Sequence, residues 1–239
     1  MENSSASESA PVSASSIAIN IFVAPREALL ALQAKPRFLL ALFVLLLVTS
    51  ITTFIYWSGV DIGWMIEQAV TQNPNANPAD VAEIVELIDG IPPAVVGFAA
   101  TAFAVVFLTI VLLIQALYFK IVSLIARDEV TFKLWFAIVS FCALPTALRQ
   151  LSTIANLLVN DISMMPQEKI NPLSIGSLLG LEPAGRTFDS IVLNFDLMTI
   201  WSLALLVFAS RIIANKSLGA AIAIVCWPVV LMTGLWLLG

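Results

Sequence analysis

The chain has 239 residues, of which 60% are hydrophobic and 11% are charged, and its formal net charge is −5. This much apolar surface, with a mean hydropathy of +0.99, excludes an ordinary soluble globular domain. The sequence contains no histidine, which excludes histidine bases, histidine metal ligands and histidine proton relays.

A polar segment rich in Ser and Ala opens the chain. We predict that residues 1–20 form a disordered tail and that residues 21–239 form one membrane domain. The segment lacks the basic cluster and apolar core of a secretory signal, so we expect the first span to be an uncleaved anchor.

The segment IFVAPREALLALQAKPRF (21–38) comes next and carries two prolines. Pro25 suits the first turn of a helix, whereas Pro36 must end or kink it. With Arg26 facing anionic headgroups, the pattern predicts a short amphipathic helix in the inner membrane interface. The alternative, a simple extension of the first span, is disfavoured by Pro36.

Five long apolar runs lie at about 38–57, 94–119, 132–148, 191–213 and 218–238. Most are close to the roughly 20 residues that a helix needs to cross a bilayer; the third is shorter, at about 17, and can continue past Arg149. They predict an all-α polytopic membrane helix bundle with five transmembrane helices and short interfacial amphipathic helices. Between the first two runs, residues 77–90 show apolar positions at i, i+3, i+4 and i+7. This predicts an amphipathic helix whose apolar stripe rests on the membrane surface or on the other spans, or docks a partner.

The basic residues indicate an orientation. If each run crosses the membrane, the segment before the first run and every second connection after it lie on the same side. These segments carry eight of the eleven basic residues: Arg26, Lys35, Arg37, Lys120, Arg127, Lys133, Arg211 and Lys216. Because Lys and Arg near span ends are retained in the cytoplasm, we expect a cytoplasmic N-terminus and an outside C-terminus.

One carboxylate lies at the edge of an apolar run, and two prolines lie inside runs. Asp196 is costly in hydrocarbon and is therefore a functional candidate. If its helix begins near Ile191, the carboxylate lies about 7 Å inside it; if the helix begins at Leu197, the carboxylate meets the favourable N-terminal dipole. Both a structural role and a site for an ion, proton or partner stay open. Pro145 and Pro228 can each free a backbone carbonyl and kink a helix.

Catalytic and metal-binding motifs are missing from the sequence. It has no glycine-rich phosphate loop, no nucleophile elbow and no metal-spaced cysteine pair, and no second carboxylate in a run could face Asp196. We therefore expect no enzyme activity, no cofactor and no nucleic-acid partner. Cys142 and Cys226 lie in predicted spans as packing residues.

Three segments together resemble a known family. They are IFVAPREALLALQAKPRFLLAL, TFKLWFAIVSFCALPTALRQL, and NPLSIGSLLG with NFDLMTIWSLALLVFA. They resemble the Yip family of five-span membrane proteins, named for interaction with Ypt and Rab GTPases, and the spacing of Asp196 and Trp201 is the most specific element. The chain is most similar to prokaryotic members, which implies a bacterial inner membrane; no residue here is assigned the GTPase binding of eukaryotic members.

Two functions remain from the sequence. The first is a non-enzymatic membrane partner, scaffold or organiser, which acts within the lipid bilayer through helix packing with a membrane-protein partner or as a homo-oligomer. The alternative is a small transporter or channel that uses Asp196 and the kinked third span. The candidate positions are Pro25, Arg26, Pro36, Pro145, Asp196 and Trp201.

Overall fold

A computed structural model describes residues 13–71, 86, 90–181 and 195–238, and the regular elements in these ranges are helices. In chain order they are α1 (Ala14–Val23), α2 (Pro25–Ala34), α3 (Leu39–Gly59), α4 (Ile62–Thr71), α5 (Pro93–Ile125), α6 (Phe132–Cys142), α7 (Pro145–Val159), α8 (Ile175–Leu178), α9 (Leu197–Ile213) and α10 (Leu218–Leu238). A single 3₁₀ turn, Gln167–Lys169, precedes α8.

The helix starts follow from local sequence. Ser13, Thr131 and Asp196 cap α1, α6 and α9, each accepting a hydrogen bond from a backbone N–H of the first turn. The helices α2, α5 and α7 instead carry proline in the first turn, where the missing N–H has no intrahelical partner to lose.

The centre of the bundle is α6. All of its residues from Leu134 to Cys142 are buried, and it packs against α1, α2, α3, α5 and α9. Trp135 anchors it to α5, because its ring stacks on Phe119 at 4.8 Å and its Nε1–H donates to Ser123 Oγ at 2.8 Å. An apolar helix buried all round needs such a partner for its indole N–H.

The predicted all-α membrane bundle is confirmed. The helix α3, the helix α5 and the pair α6–α7 are each long and apolar enough to cross a bilayer, and α9 and α10 occupy the last two apolar runs. Large apolar side chains on α5, including Phe98, Phe103 and Phe107, are exposed, as expected where lipid replaces water.

The N-terminal segment differs from the sequence prediction. Residues from Ala14 onward, expected in the tail, form α1, which folds back on α2 as a two-helix hairpin. Ile21, Leu29 and Leu32 have no exposed surface, because the hairpin packs against α6 and α9 and its apolar side chains meet protein. As predicted, Pro25 starts α2, and α2 ends before Pro36.

One residue, Ala24, makes the hairpin turn. Its N–H donates to Asn20 O at 2.8 Å, and its carbonyl accepts from Glu27 N at 3.0 Å. The turn thus satisfies most of its own backbone groups, which a non-helical link among membrane helices requires.

The third apolar run is interrupted, and its second helix extends past Arg149, the extension that the sequence left open. The backbone breaks at Ala143–Leu144, and α7 then continues from Pro145 to Val159. Pro145 cannot donate to Phe141 O, which accepts from Leu144 N at 3.1 Å instead. The hydropathy signal stops early because α7 is amphipathic, with buried Ala147, Thr153 and Leu157 on one face.

Pro228 lies inside α10 and frees a carbonyl of its own. Its ring nitrogen cannot donate to Ile224 O four residues earlier. That oxygen accepts instead from the Tyr118 hydroxyl of α5 at 2.8 Å. The predicted release of a carbonyl therefore becomes a link between two helices.

Two sequence predictions fall on residues that the structure does not describe. The amphipathic helix predicted at 77–90 lies outside the described residues except for Glu86 and Gly90, and so do residues 191–194 at the start of the fourth run.

Candidate functional site: the buried carboxylate of Asp196

Asp196 is the residue before α9, and its side chain is completely buried. Its Oδ1 accepts the backbone N–H groups of Met198 at 2.8 Å and Thr199 at 2.9 Å. This is N-cap geometry, which satisfies two donors that the first turn of a helix leaves open and places a negative charge at the positive end of the dipole. The sequence left two possible starts for this helix, Ile191 and Leu197. In the structure it begins at Leu197, so the carboxylate lies at the helix N-terminus.

The second carboxylate oxygen binds two side chains. Thr199 Oγ1 donates to Asp196 Oδ2 at 2.9 Å, and Arg149 Nη1 lies 3.2 Å from the same oxygen. The Arg149 side chain is 31% exposed, whereas that of Asp196 is fully buried. Arg149 stands one turn after Pro145, and the break before α7 therefore sets the register that brings it to Asp196.

A third segment closes over the carboxylate. Ser174 and Asp196 form an isolated antiparallel bridge, in which Ile175 N donates to Phe195 O at 2.8 Å. Ser174 is itself buried, and its Oγ caps α8 by accepting from Ser177 N at 3.1 Å. Asp196 thereby joins α7, the Ser174 segment and α9 at one end of the bundle, here called the Asp196 end.

Both oxygens of Asp196 are occupied by donors of the protein. Four hydrogen bonds fill the acceptor positions, and none of its surface is open to a ligand. Among the described residues, no group of three His, Cys, Asp or Glu side chains could hold a metal ion. The arrangement can cap a helix and join three segments, and it offers no free general base.

The structure brings two other candidate residues together, away from Asp196. Pro25 and Trp201 line one apolar hollow of about 160 Å³ at the hairpin tip, with Ala204, Leu205 and Phe208. Trp201 is 44% exposed there, and Arg26, which follows Pro25 on α2, is also exposed.

Pro36 lies at the opposite end of the bundle, here called the Lys216 end. It lines an open cleft of about 540 Å³ with Asp128, Thr131 and Ile213. Lys216 Nζ lies 2.6 Å from Asp128 Oδ2 in a largely buried ion pair. The angles at this contact do not meet hydrogen-bond geometry. Lys120 Nζ donates to Val130 O at 3.0 Å nearby.

Sequence reasoning missed the partner of Asp196. It sought a second carboxylate and counted Arg149 only as a charge near a span end. The available signal was that Arg149 interrupts an otherwise apolar segment one turn after Pro145, at the same end as Asp196. Ser174 could not have been found this way, because its contribution is a backbone bridge.

The family model described as "Yip1 domain" matches residues 19–239. No curated protein and no solved structure shows a significant match to the chain.

Proposed function

Because the chain belongs to the Yip1 domain family, we propose that this integral, multi-pass membrane protein is a non-enzymatic partner or organiser of other membrane proteins. In this role it acts through the packing of its helices in the bilayer, with a membrane-protein partner or as a homo-oligomer.

The observation that carries the proposal is the occupied state of Asp196. A transporter or channel that used this carboxylate would need it to exchange protons or ions along a pathway. Here both oxygens are held by Met198, Thr199 and Arg149, and the residue has no exposed surface. A carboxylate in this state supports a structural role. A partner would then bind the outer faces of the helices.

We also propose a bacterial inner membrane, with a cytoplasmic N-terminus and the C-terminus outside. The support is the charge distribution along the fold. The Lys216 end gathers seven of the eight basic residues assigned to the cytoplasmic side from the sequence: Lys35, Arg37, Lys120, Arg127, Lys133, Arg211 and Lys216. The eighth, Arg26, lies away from this end, because its neighbour Pro25 lines the hollow with Trp201. The described part of the Asp196 end carries Arg149 and Lys169. Lys and Arg near span ends favour the cytoplasmic side.

In vivo photo-crosslinking tests the partner role. A photoreactive amino acid replaces Phe103, which is 71% exposed on α5, and the matched control replaces buried Phe141. We expect a reproducible crosslinked protein partner from Phe103 and none from Phe141, identified by mass spectrometry. Recovery of the monomer alone from exposed positions on every helix, at native expression, would contradict the proposal.

Tracer flux in proteoliposomes tests the competing transport role. The wild-type protein and Asp196→Asn are reconstituted side by side and checked for equal insertion. We expect no protein-dependent flux from either. Specific flux that the substitution abolishes would overturn the proposed function.

A further inference from the structure

Two opposite charges stand beside each other near the tip of the N-terminal hairpin. Arg26 and Glu27 occupy the first turn of α2, and both side chains are exposed. Neither forms an ion pair or a side-chain hydrogen bond with another residue in the described part of the chain.

The position of the tip along α9 sets the depth of these charges. Pro25 lines its hollow with residues from Trp201 to Phe208, which lie about 8 to 18 Å from the Lys216 end of α9 at 1.5 Å per residue. Gln33 and Pro36 instead line the cleft with Ile213 at that end. The helix α2 therefore runs from the end of the bundle inward, and its first turn lies at hydrocarbon depth, where an unpaired charge is strongly unfavourable.

The exposed face of α2 has a defined charge pattern. Positions on an α-helix are spaced about 100° apart, which puts Arg26 about 40° to one side of Leu30 and Glu27 about 60° to the other. Leu30 is 39% exposed, while Ala28, Leu29 and Leu32 on the opposite side are fully buried. The open face thus carries a leucine in the middle, a cation on one flank and an anion on the other.

We propose that this face binds a second copy of the chain, with α2 against α2 about a two-fold axis along the membrane normal. Two copies share one orientation in the membrane, so their α2 helices are parallel. In a parallel helix pair, opposite flanks face each other, as e and g positions do in coiled coils. Arg26 of each copy then meets Glu27 of the other at nearly equal depth, and Leu30 meets Leu30.

Self-complementary charge is the reason for choosing a second copy. An anionic lipid phosphate would pair with Arg26 and would leave Glu27 unpaired and repelled. The two-fold arrangement pairs both charges of both copies. The inference rests on the proposed function, since it names the homo-oligomeric form of that role.

Disulfide crosslinking in membranes tests the arrangement. In a chain with Cys142→Ala and Cys226→Ala, Leu30→Cys is oxidised in native membranes, and Phe103→Cys on α5 is the matched exposed control. We expect a disulfide-linked dimer from Leu30→Cys and little from Phe103→Cys, because only α2 lies at the axis.

Charge exchange then tests the pairing. Arg26→Glu or Glu27→Arg alone places like charges opposite each other, and we expect at least about a tenfold loss of crosslinking, from about 1–2 kcal/mol for each polar contact within a membrane. The double exchange Arg26→Glu with Glu27→Arg restores the pairs and the crosslink. The variant with both Arg26→Gln and Glu27→Gln has neither charge and should insert readily. It should still give a weak crosslink, so it tests the pairing even if the single exchanges fold poorly.

Three results would overturn the proposal. The first is the absence of the Leu30→Cys dimer. The second is a dimer yield from the double exchange that is no higher than that from either single exchange. The third is a dimer yield that falls with Arg26→Gln and is unchanged by Glu27→Gln, which would indicate a lipid phosphate at Arg26. A protein partner photo-crosslinked from Phe103 without a Leu30→Cys dimer would leave the proposed function standing and refute the dimer alone.

Discussion

Removing the Asp196 carboxylate should destabilise the fold by an amount that its contacts predict. In Asp196→Ala, the backbone N–H groups of Met198 and Thr199 lose their cap, which costs about 1 kcal/mol. Thr199 Oγ1 and Arg149 also lose their acceptor. Since Arg149 is 31% exposed and can return to water or headgroups, its share is no more than about 1 kcal/mol.

The expected total is about 2–3 kcal/mol for Asp196→Ala. Asp196→Asn keeps the Oδ1 cap and loses only the charged contact, so we expect about 1 kcal/mol and normal insertion. Arg149→Gln should fall near Asp196→Asn, and the double variant should cost less than the sum of the two, because both remove the same contact.

Unfolding in mixed detergent micelles measures these differences. Dodecyl sulfate is titrated against the folded protein, with tryptophan fluorescence as the signal, and Glu129→Gln, an exposed carboxylate at the other end, is the control expected within about 0.5 kcal/mol of wild type. Equal stability of Asp196→Ala and wild type, or strict additivity of Asp196→Asn and Arg149→Gln, would refute the structural role.

Three further outcomes follow from named contacts. Tyr118→Phe should cost about 1 kcal/mol because it leaves Ile224 O unpaired, and less in a Pro228→Ala background, where residue 228 regains its N–H; equal costs in both would argue against the link. Gly97→Leu should cost about 1–3 kcal/mol, because a Cβ there already lies 3.1 Å from Phe54 and Ser58, whereas Gly219→Leu, with open space around it, should be near neutral in the same titration. The backbone and side-chain hydrogen bonds from Ser163 lower the pKa of Asp161. The contact is therefore intact above the ordinary aspartate pKa and is lost as pH falls through the lowered value. In hydrogen exchange, the protection of the Ser163 amide should fall in acid for wild type and be independent of pH in Asp161→Asn.

Much of the fold could be predicted from the sequence because hydrocarbon imposes simple rules. A helix must satisfy its own backbone in lipid, so long apolar runs between charged segments predict the bundle. The prolines also acted as expected: Pro25 starts a helix, Pro145 interrupts one, and Pro228 frees a carbonyl. These effects depend on the proline ring alone and need no knowledge of neighbours.

The remaining features depend on contacts between distant parts of the chain. Local patterning could not show that Ile21 and Leu29 meet protein rather than headgroups, since an apolar stripe suits either surface. The partner of Asp196 was hidden for the same reason, because 47 residues separate it from Arg149. The role of Tyr118 required knowing that α5 passes beside α10.

The N-terminal hairpin has a consequence for biogenesis. It leaves the ribosome before α6 and α9, which cover Leu29 and Leu32 and begin only at Phe132 and Leu197. At about 5–20 residues per second, synthesis from Ala34 to Ile213 takes roughly 10–35 s. During that interval the hairpin has α3 as a neighbour but lacks the surfaces of α6 and α9, so it enters the bundle as a late step, after these two spans have been inserted. A chain truncated before α9 should leave α2 accessible to protease, while the full chain protects it.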